Sequence, residues 1–288
     1  MEITPYYEND SGTWTYLLSD TTHNIAAIID PVWVFNPVSG MVDSEFIDRV
    51  LADAQQKDLR IDWVLETHAH ADHLTAAGEI RRRTGARIAC GKGIRLVQQT
   101  FARVFNMNGL ATDGSQFDRL LEEGDRINLG ALEIRVIETP GHTNDSVTYL
   151  VGDAAFIGDT LFTPSFGTAR CDFPGGDAGQ LYDSISKIYQ LPGATRVFLC
   201  HDYPKAGKQP VCQISVDESR GGNIHFSAET TRDEFVAMRT ARDAQLGLPR
   251  LIMPSLQVNI QAGEAPAADT NGVAYLRTPF NQKIADLI

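Results

Sequence analysis

The stretch ETHAHADHLTAA, residues 66 to 77, sets His68, His70, Asp72 and His73 within six positions of a chain that has seven histidines in 288 residues. On an extended turn alternate side chains share a face, so His68 and His70 can converge on one ion while Asp72 and His73 aim at a neighbouring point. A lone histidine in a loop is most simply an exposed polar residue; four ligand-type residues spaced as HxHxDH point to a metal. Three more such residues stand at the ends of separate predicted strands: His142 in TPGHT, Asp159 in IGDTLF and His201 in LCHDY. Histidine and carboxylate ligation without cysteine suits zinc, iron or manganese and excludes an iron–sulfur cluster.

Alternating strands and helices must position these residues. WTYLLSD and NIAAIIDP are β-rich runs separated by the polar TTH. Phe46, Ile47, Val50, Leu51 and Ala54 recur at helical spacing after Asp43 and Ser44, either of which can cap the start. IDWVLET reads as a buried strand ending at Thr67, so the histidine cluster lies at a strand's carboxyl end, where α/β architectures place their sites. Leu74, Ala77 and Ile80 mark one face of the helix that follows. ARIACG, LEIRVIETP, SVTYLVGD, AAFIGD and TRVFLCH predict further strands, and Ile94 to Phe105 predicts a helix. Leu181, Ile185, Ile188 and Leu191 give the face of another helix, capped by Asp177 and stopped by Pro192-Gly193, and a capping box from Thr231 to Glu234 opens a late one. Beyond Leu248 the Pro-rich tail reads as irregular structure docked on the body. Strands and helices in both halves fit two sheets covered by helices better than one doubly wound sheet.

Composition narrows the partners. With 25 basic and 37 acidic residues the net charge is −12, which disfavours nucleic acid or an anionic membrane as a partner. No run of about 18 uncharged apolar residues occurs, and the first residues lack a basic segment followed by an apolar core, so the expected location is the cytoplasm. Cys90, Cys171, Cys200 and Cys212 form no CxxC, so free thiols are expected. Cys200, His201 and Asp202 resemble a triad only in print, because neighbours on a strand face opposite sides.

Through THAHADH, PGHT, GDTLF and HD, in that order across roughly residues 13 to 205, the chain resembles the metallo-β-lactamase superfamily. The resemblance implies an α/β fold, an αββα sandwich of two mixed sheets flanked by helices, with the metal site at the open edge between the β-layers. Residues 1 to 288 are then one such domain, with 206 to 288 a helical and irregular extension docked on it. Counting ligands favours two metals: His68, His70 and His142 on one, Asp72, His73 and His201 on the other, with Asp159 bridging.

A narrower resemblance lies in GDTLFTPSFGTARCDFPGGD, CHDY and SVDESRGGN, which are similar to the persulfide dioxygenase family, relatives of hydroxyacylglutathione hydrolase. That likeness implies oxidation of glutathione persulfide by O2 to sulfite and glutathione at one Fe(II) per chain, held by His68, His142 and Asp159. It leaves His70, Asp72, His73 and His201 beside the metal as hydrogen-bonding partners. Two imidazoles and one carboxylate leave room for substrate and oxygen, and zinc, with no accessible redox change, does not serve such a reaction. Arg170 and Arg220 match the family's substrate positions, where a guanidinium can pair both oxygens of a carboxylate, and Tyr203 can hydrogen-bond the peptide. The competing expectation is a Zn(II) hydrolase of acylated glutathione with two metals. Two longer loops, VWVFNPVSGMVD and NMNGLATDGSQFD, are candidate walls of a substrate cleft, and a homodimer is the expected assembly.

Overall fold

The runs WTYLLSD and NIAAIID become β2 (Thr13–Asp20) and β3 (Ile25–Ile29), every residue of which is buried. Burial on both faces explains why β3 is apolar throughout rather than alternating, while β2 also buries Thr13, Thr15, Ser19 and Asp20. In this computed structural model, which describes residues 1 to 287, they belong to a six-stranded sheet. Its order is β1 (Glu2–Glu8), β2, β3, β6 (Arg60–Leu65), β8 (Arg87–Gly91) and β9 (Arg119–Leu121). Pairing is antiparallel from β1 to β3 and parallel from β3 to β9.

A second six-stranded sheet runs β10 (Arg126–Leu129), β11 (Leu132–Glu138), β12 (Val147–Val151), β13 (Ala154–Phe156), β14 (Arg196–Phe198) and β15 (Gln213–Ser215). Only β13 and β14 pair in parallel, and the crossover between them carries helix α4 (Ala178–Tyr189), as a parallel connection requires.

The alternation of side chains divides the core into three layers. Tyr16, Leu18, Ala27 and Ile29 face inward and pack against Tyr149, Val151 and Phe156 of the second sheet. Their neighbours Leu17, Ala26 and Ile28 face outward under α1 (Glu45–Gln56), α2 (Ala77–Thr84), α3 (Ile94–Val104) and α7 (Ile252–Asn259). On the far side Ala155 and Val197 meet Leu181 and Ile185 of α4, Val216 of α5 (Val216–Gly222) and Phe235 of α6 (Arg232–Asp243). Helices, sheet, sheet, helices is the expected αββα sandwich.

Several local expectations hold. Asp177 caps α4 by accepting from the Gln180 N–H, and Thr231 and Glu234 complete the capping box of α6. All four cysteines are free. At α1 Ser44 occupies the cap position, but its hydroxyl turns to Asp48, and Asp43 accepts the Glu45 N–H instead. Two expectations do not hold. Leu74 lies not on α2 but in the short strand β7 (Leu74–Thr75), which pairs with β4 (Val32–Asn36). The tail beyond Leu248 is not wholly irregular: Ile252, Leu256 and Ile260 bury α7 and its end against the first sheet's outer layer.

The first long loop folds into a hairpin of β4 and β5 (Met41–Asp43). The second, with α7 and residues 266 to 269, lines a separate cavity of about 690 Å³. Neither contributes to the metal-side cleft.

Candidate metal centre

Five chain segments deliver polar side chains to one end of the sandwich. Residues 66 to 73 leave β6 as a series of bends. His142 follows β11, Asp159 sits in the short turn Gly158–Thr160 after β13, and His201, just after β14, bridges to Thr13 at the start of β2. Two glycines allow the crowding. Gly141 takes φ +135°, and a Cβ there would stand 2.3 Å from the Leu181 nitrogen; Gly158 takes φ +53°, and a Cβ would stand 2.7 Å from the Thr67 hydroxyl.

The partners of each imidazole fix which nitrogen is free. His142 Nδ1 lies 2.8 Å from the Arg170 carbonyl, which only accepts, so Nδ1 carries the hydrogen and Nε2 is left with its lone pair. The Thr67 hydroxyl donates to Asp30 at 2.9 Å and therefore accepts from His68 Nδ1 at 3.1 Å, freeing His68 Nε2. His73 Nδ1 faces the Asp72 carboxylate at 3.2 Å, and His73 Nε2 is buried without a partner. His70 is reversed: Nε2 faces Asp30 at 3.2 Å, and buried Nδ1 has no partner. The Thr13 hydroxyl lies 3.3 Å from Nδ1 of both His73 and His201.

Two groups of candidate ligands contain no cysteine: His68, His142 and Asp159 form one, and His70, Asp72, His73 and His201 the other. The buried Cys200 thiol stands within reach of Asp30 and His70 on one side and of Asp159 and His201 on the other. Asp159 Oδ2 is 3.9 Å from His68 Nε2 and 3.6 Å from His142 Nε2, whereas Oδ1 is 3.4 Å from His201 Nε2. His201 Nε2 is also 3.1 Å from Asp72 Oδ2, yet neither it nor Asp159 Oδ1 makes a hydrogen bond. Buried polar atoms left without partners are costly, and here they converge. A divalent cation satisfies that donor set of imidazole nitrogens and carboxylate oxygens. Ligand counting placed His70 with His68 and His142; its ring lies between those of His68 and His73, at 4.0 and 4.2 Å between centroids, and it also groups with Asp72, His73 and His201.

Electrostatics suit a cation. Burial, followed by the charges of His70 and His142, holds the His68 pKa well below the ordinary imidazole value, so His68 is neutral and available to ligate. Burial also lowers His73. Burial opposes charge on His70 too, but the Asp30 and Glu66 carboxylates outweigh it and raise that pKa well above the ordinary value. Burial opposes ionisation of Asp72, and His201 and His73 overcome it, so its carboxyl stays ionised.

A cleft of about 400 Å³ opens onto His142, Asp159 and Asp72, with Phe162, Phe166, Phe173 and Tyr203 among its walls. The Tyr203 ring is stacked on His201, 5.9 Å between centroids and 5° from parallel. Arg170 lines the cleft with its guanidinium already committed: it pairs with Asp172 at 2.6 Å, donates to the Gly247 carbonyl at 2.7 Å and lies over Phe173. Arg220 is elsewhere, on α5, paired with Asp217 at 2.5 Å, and is absent from the cleft lining. Arg242 and Arg250 line the cleft instead, both exposed, and neither has a carboxylate partner among the described residues. Acid therefore comes from the ligand loops and unpaired base from α6 and the turn beyond it. Cys171 is a packed thiol that burial pushes well above its ordinary pKa.

Sequence reasoning missed Asp30, Asn259, Arg242 and Arg250. Asp30 follows an apolar strand directly and precedes Pro31, a visible signal. Asn259 carries no such mark.

Comparison with known proteins agrees with this geometry. The family model described as metallo-beta-lactamase superfamily matches residues 9–201. A probable metallo-hydrolase of Burkholderia pseudomallei is 45% identical over 98% of this chain and 99% of its own. The hydroxyacylglutathione hydrolase of Rhodospirillum rubrum is 36% identical over 67% of this chain and 63% of its own length. The mitochondrial persulfide dioxygenase ETHE1 of Homo sapiens is 32% identical over 68% of this chain and 66% of its own. The crystal structure of ETHE1 from Myxococcus xanthus superposes with a TM-score of 0.74 at 32% identity, covering 92% of this chain and all of that one. By its layered sheets and these matches, the chain belongs to the metallo-beta-lactamase superfamily.

Proposed function

We propose that the protein is a persulfide dioxygenase, oxidising glutathione persulfide with O2 to sulfite and glutathione at one ferrous ion held by His68, His142 and Asp159. The observation that supports it most is the group of two imidazoles and one carboxylate in a chain that aligns over the whole of the Myxococcus xanthus ETHE1 structure. The reaction balances as persulfide, O2 and water giving thiol, sulfite and two protons. The outer sulfur loses the four electrons that O2 gains.

A ferrous ion bound there supplies the redox change and the open coordination positions that a sulfur ligand and O2 require. The chain's own residues do the rest. The Arg170 carbonyl and the Thr67 hydroxyl hold the imidazoles of His142 and His68 with Nε2 turned inward. Phe162, Phe166 and Phe173 wall the cleft with apolar surface and limit water beside the reacting sulfur. Arg242 and Arg250 take the role expected of Arg220, holding the carboxylates of glutathione in charge-assisted hydrogen bonds. Tyr203 offers its hydroxyl to the peptide.

One observation favours a second reading, a dinuclear zinc hydrolase of glutathione thioesters. His70 Nδ1, His73 Nε2 and His201 Nε2 are buried without hydrogen bonds and make a complete further ligand group with Asp72. Oxygen uptake by the Fe(II)-loaded protein given glutathione persulfide, run beside hydrolysis of S-lactoylglutathione by the zinc-loaded protein, separates the two. Hydrolysis without oxygen uptake would replace the first reading by the second.

A further inference from the structure

Arg239 and Asp243 form an ion pair one turn apart on α6, with side chains only 2% and 4% exposed. Burying two charges carries a heavy desolvation cost, and apolar side chains of similar volume often serve stability as well or better. Stability alone therefore does not account for a buried pair here. Its outward hydrogen bonds do. Asp243 Oδ1 accepts from Arg239 Nε at 2.9 Å, and Asp243 Oδ2 accepts the Cys171 N–H at 2.8 Å. Arg239 Nη1 donates to the Thr168 carbonyl at 3.2 Å and lies 3.3 Å from its hydroxyl. His225 Nδ1 accepts the Thr168 N–H at 3.0 Å.

Residues 168 to 171 are thus fixed at both ends by α6 and the segment before it. Between those anchors stands Arg170, whose carbonyl receives His142 Nδ1–H at 2.8 Å. A carbonyl that holds a ligand's far nitrogen sets both its tautomer and its ring plane.

We propose that the Arg239–Asp243 pair is a positioning device for the metal centre: it fixes residues 168 to 171 so that the Arg170 carbonyl aims His142 at the metal. The inference rests on the metal-binding reading of His142 but not on which reaction follows. Linkage makes it reciprocal: if order in this loop strengthens metal binding, metal binding must strengthen order in this loop by the same factor.

Two sets of measurements test it, and neither reads activity. In the wild-type protein, hydrogen exchange at the Thr168 and Cys171 amides is compared with and without Fe(II) added anaerobically. Loading is expected to slow both by about 10-fold, the low end of what partners of metal ligands contribute to affinity. Unchanged exchange at both amides overturns the proposal. In the variants Arg239→Met and Arg239→Met/Asp243→Leu, the ferrous dissociation constant is measured by chelator competition, and Tm with and without the metal. The expected result is about 10-fold weaker iron binding and a smaller metal-induced rise in Tm, with partial recovery in Arg239→Lys. A purely structural pair would lower Tm equally with and without iron and leave the dissociation constant unchanged, which also overturns the proposal. If a variant fails to fold, the wild-type exchange result decides alone.

Discussion

The side-chain amide of Asn259, on α7, donates to the main-chain carbonyl of His70 at 2.8 Å across 189 residues of sequence. The same nitrogen reaches the His73 carbonyl at 2.8 Å, and its oxygen accepts the Thr75 N–H at 2.9 Å. One buried residue thus ties down both ends of the segment that carries His70, Asp72 and His73.

Asn259→Leu strands two carbonyls and an amide in the interior and is expected to cost about 3 kcal/mol or more, given about 1–3 kcal/mol for each of these unsatisfied buried groups. Equilibrium denaturation of the metal-free protein measures this. A loss below about 0.5 kcal/mol would show that water or a shifted loop takes over the three bonds.

His70→Ala separates one metal from two. With iron on His68, His142 and Asp159 alone, the variant keeps most of its bound iron, whereas His142→Ala loses it. Metal analysis of the two purified variants is the check, and complete loss of iron from His70→Ala would reject the mononuclear assignment.

Arg242→Ala and Arg250→Ala each remove one unpaired guanidinium from the cleft. Each is expected to raise KM for glutathione persulfide by about 10-fold or more with kcat within about twofold, as for a charge-assisted hydrogen bond of about 1.5–3 kcal/mol made equally in ground and transition states. Arg220→Ala should leave both constants unchanged. The opposite pattern would return the carboxylate role to Arg220.

His225 gives a pH signature. Burial, with help from Arg239 and Arg242, pushes its pKa down to about 4, against 6.5 for an ordinary imidazole. The unfolded chain then binds more protons than the folded one between those values, so stability rises with pH across that window. The contribution is complete above about 6.5, declines as pH falls, and is lost below about 4. Chemical denaturation of the metal-free protein at pH 4.5, 5.5 and 7 should show a shallower slope for His225→Gln than for wild type. Parallel slopes would mean that His225 titrates normally.

Much of this was legible in the residues. β-rich runs, a capping box and Asp177 marked strands and helices because each depends on a few neighbours in sequence. The ligand-type residues were visible as a set, but their grouping was not. The rule that alternate side chains share a face holds on an extended chain, and residues 66 to 73 bend, which brings His70 within reach of Asp72, His73 and His201 as well as His68. Asn259 was hidden for another reason: a neutral amide late in the chain carries no charge, spacing or motif, and its importance comes only from what the fold brings to it. The surroundings of Arg220 were not legible either: the resemblance names the position, and only the fold shows that its guanidinium meets Asp217 on the exposed side of α5, outside the cleft lining.

The unequal charge of the two cleft walls has a consequence for traffic. Acidic groups beside the ligands and bare guanidiniums opposite set up a local electric field, which acts on a visitor before any short-range contact forms. Under the proposed function, glutathione persulfide, with carboxylates at one end and the reactive sulfur at the other, would be turned carboxylates-first toward Arg242 and Arg250, leaving its sulfur for the histidine side.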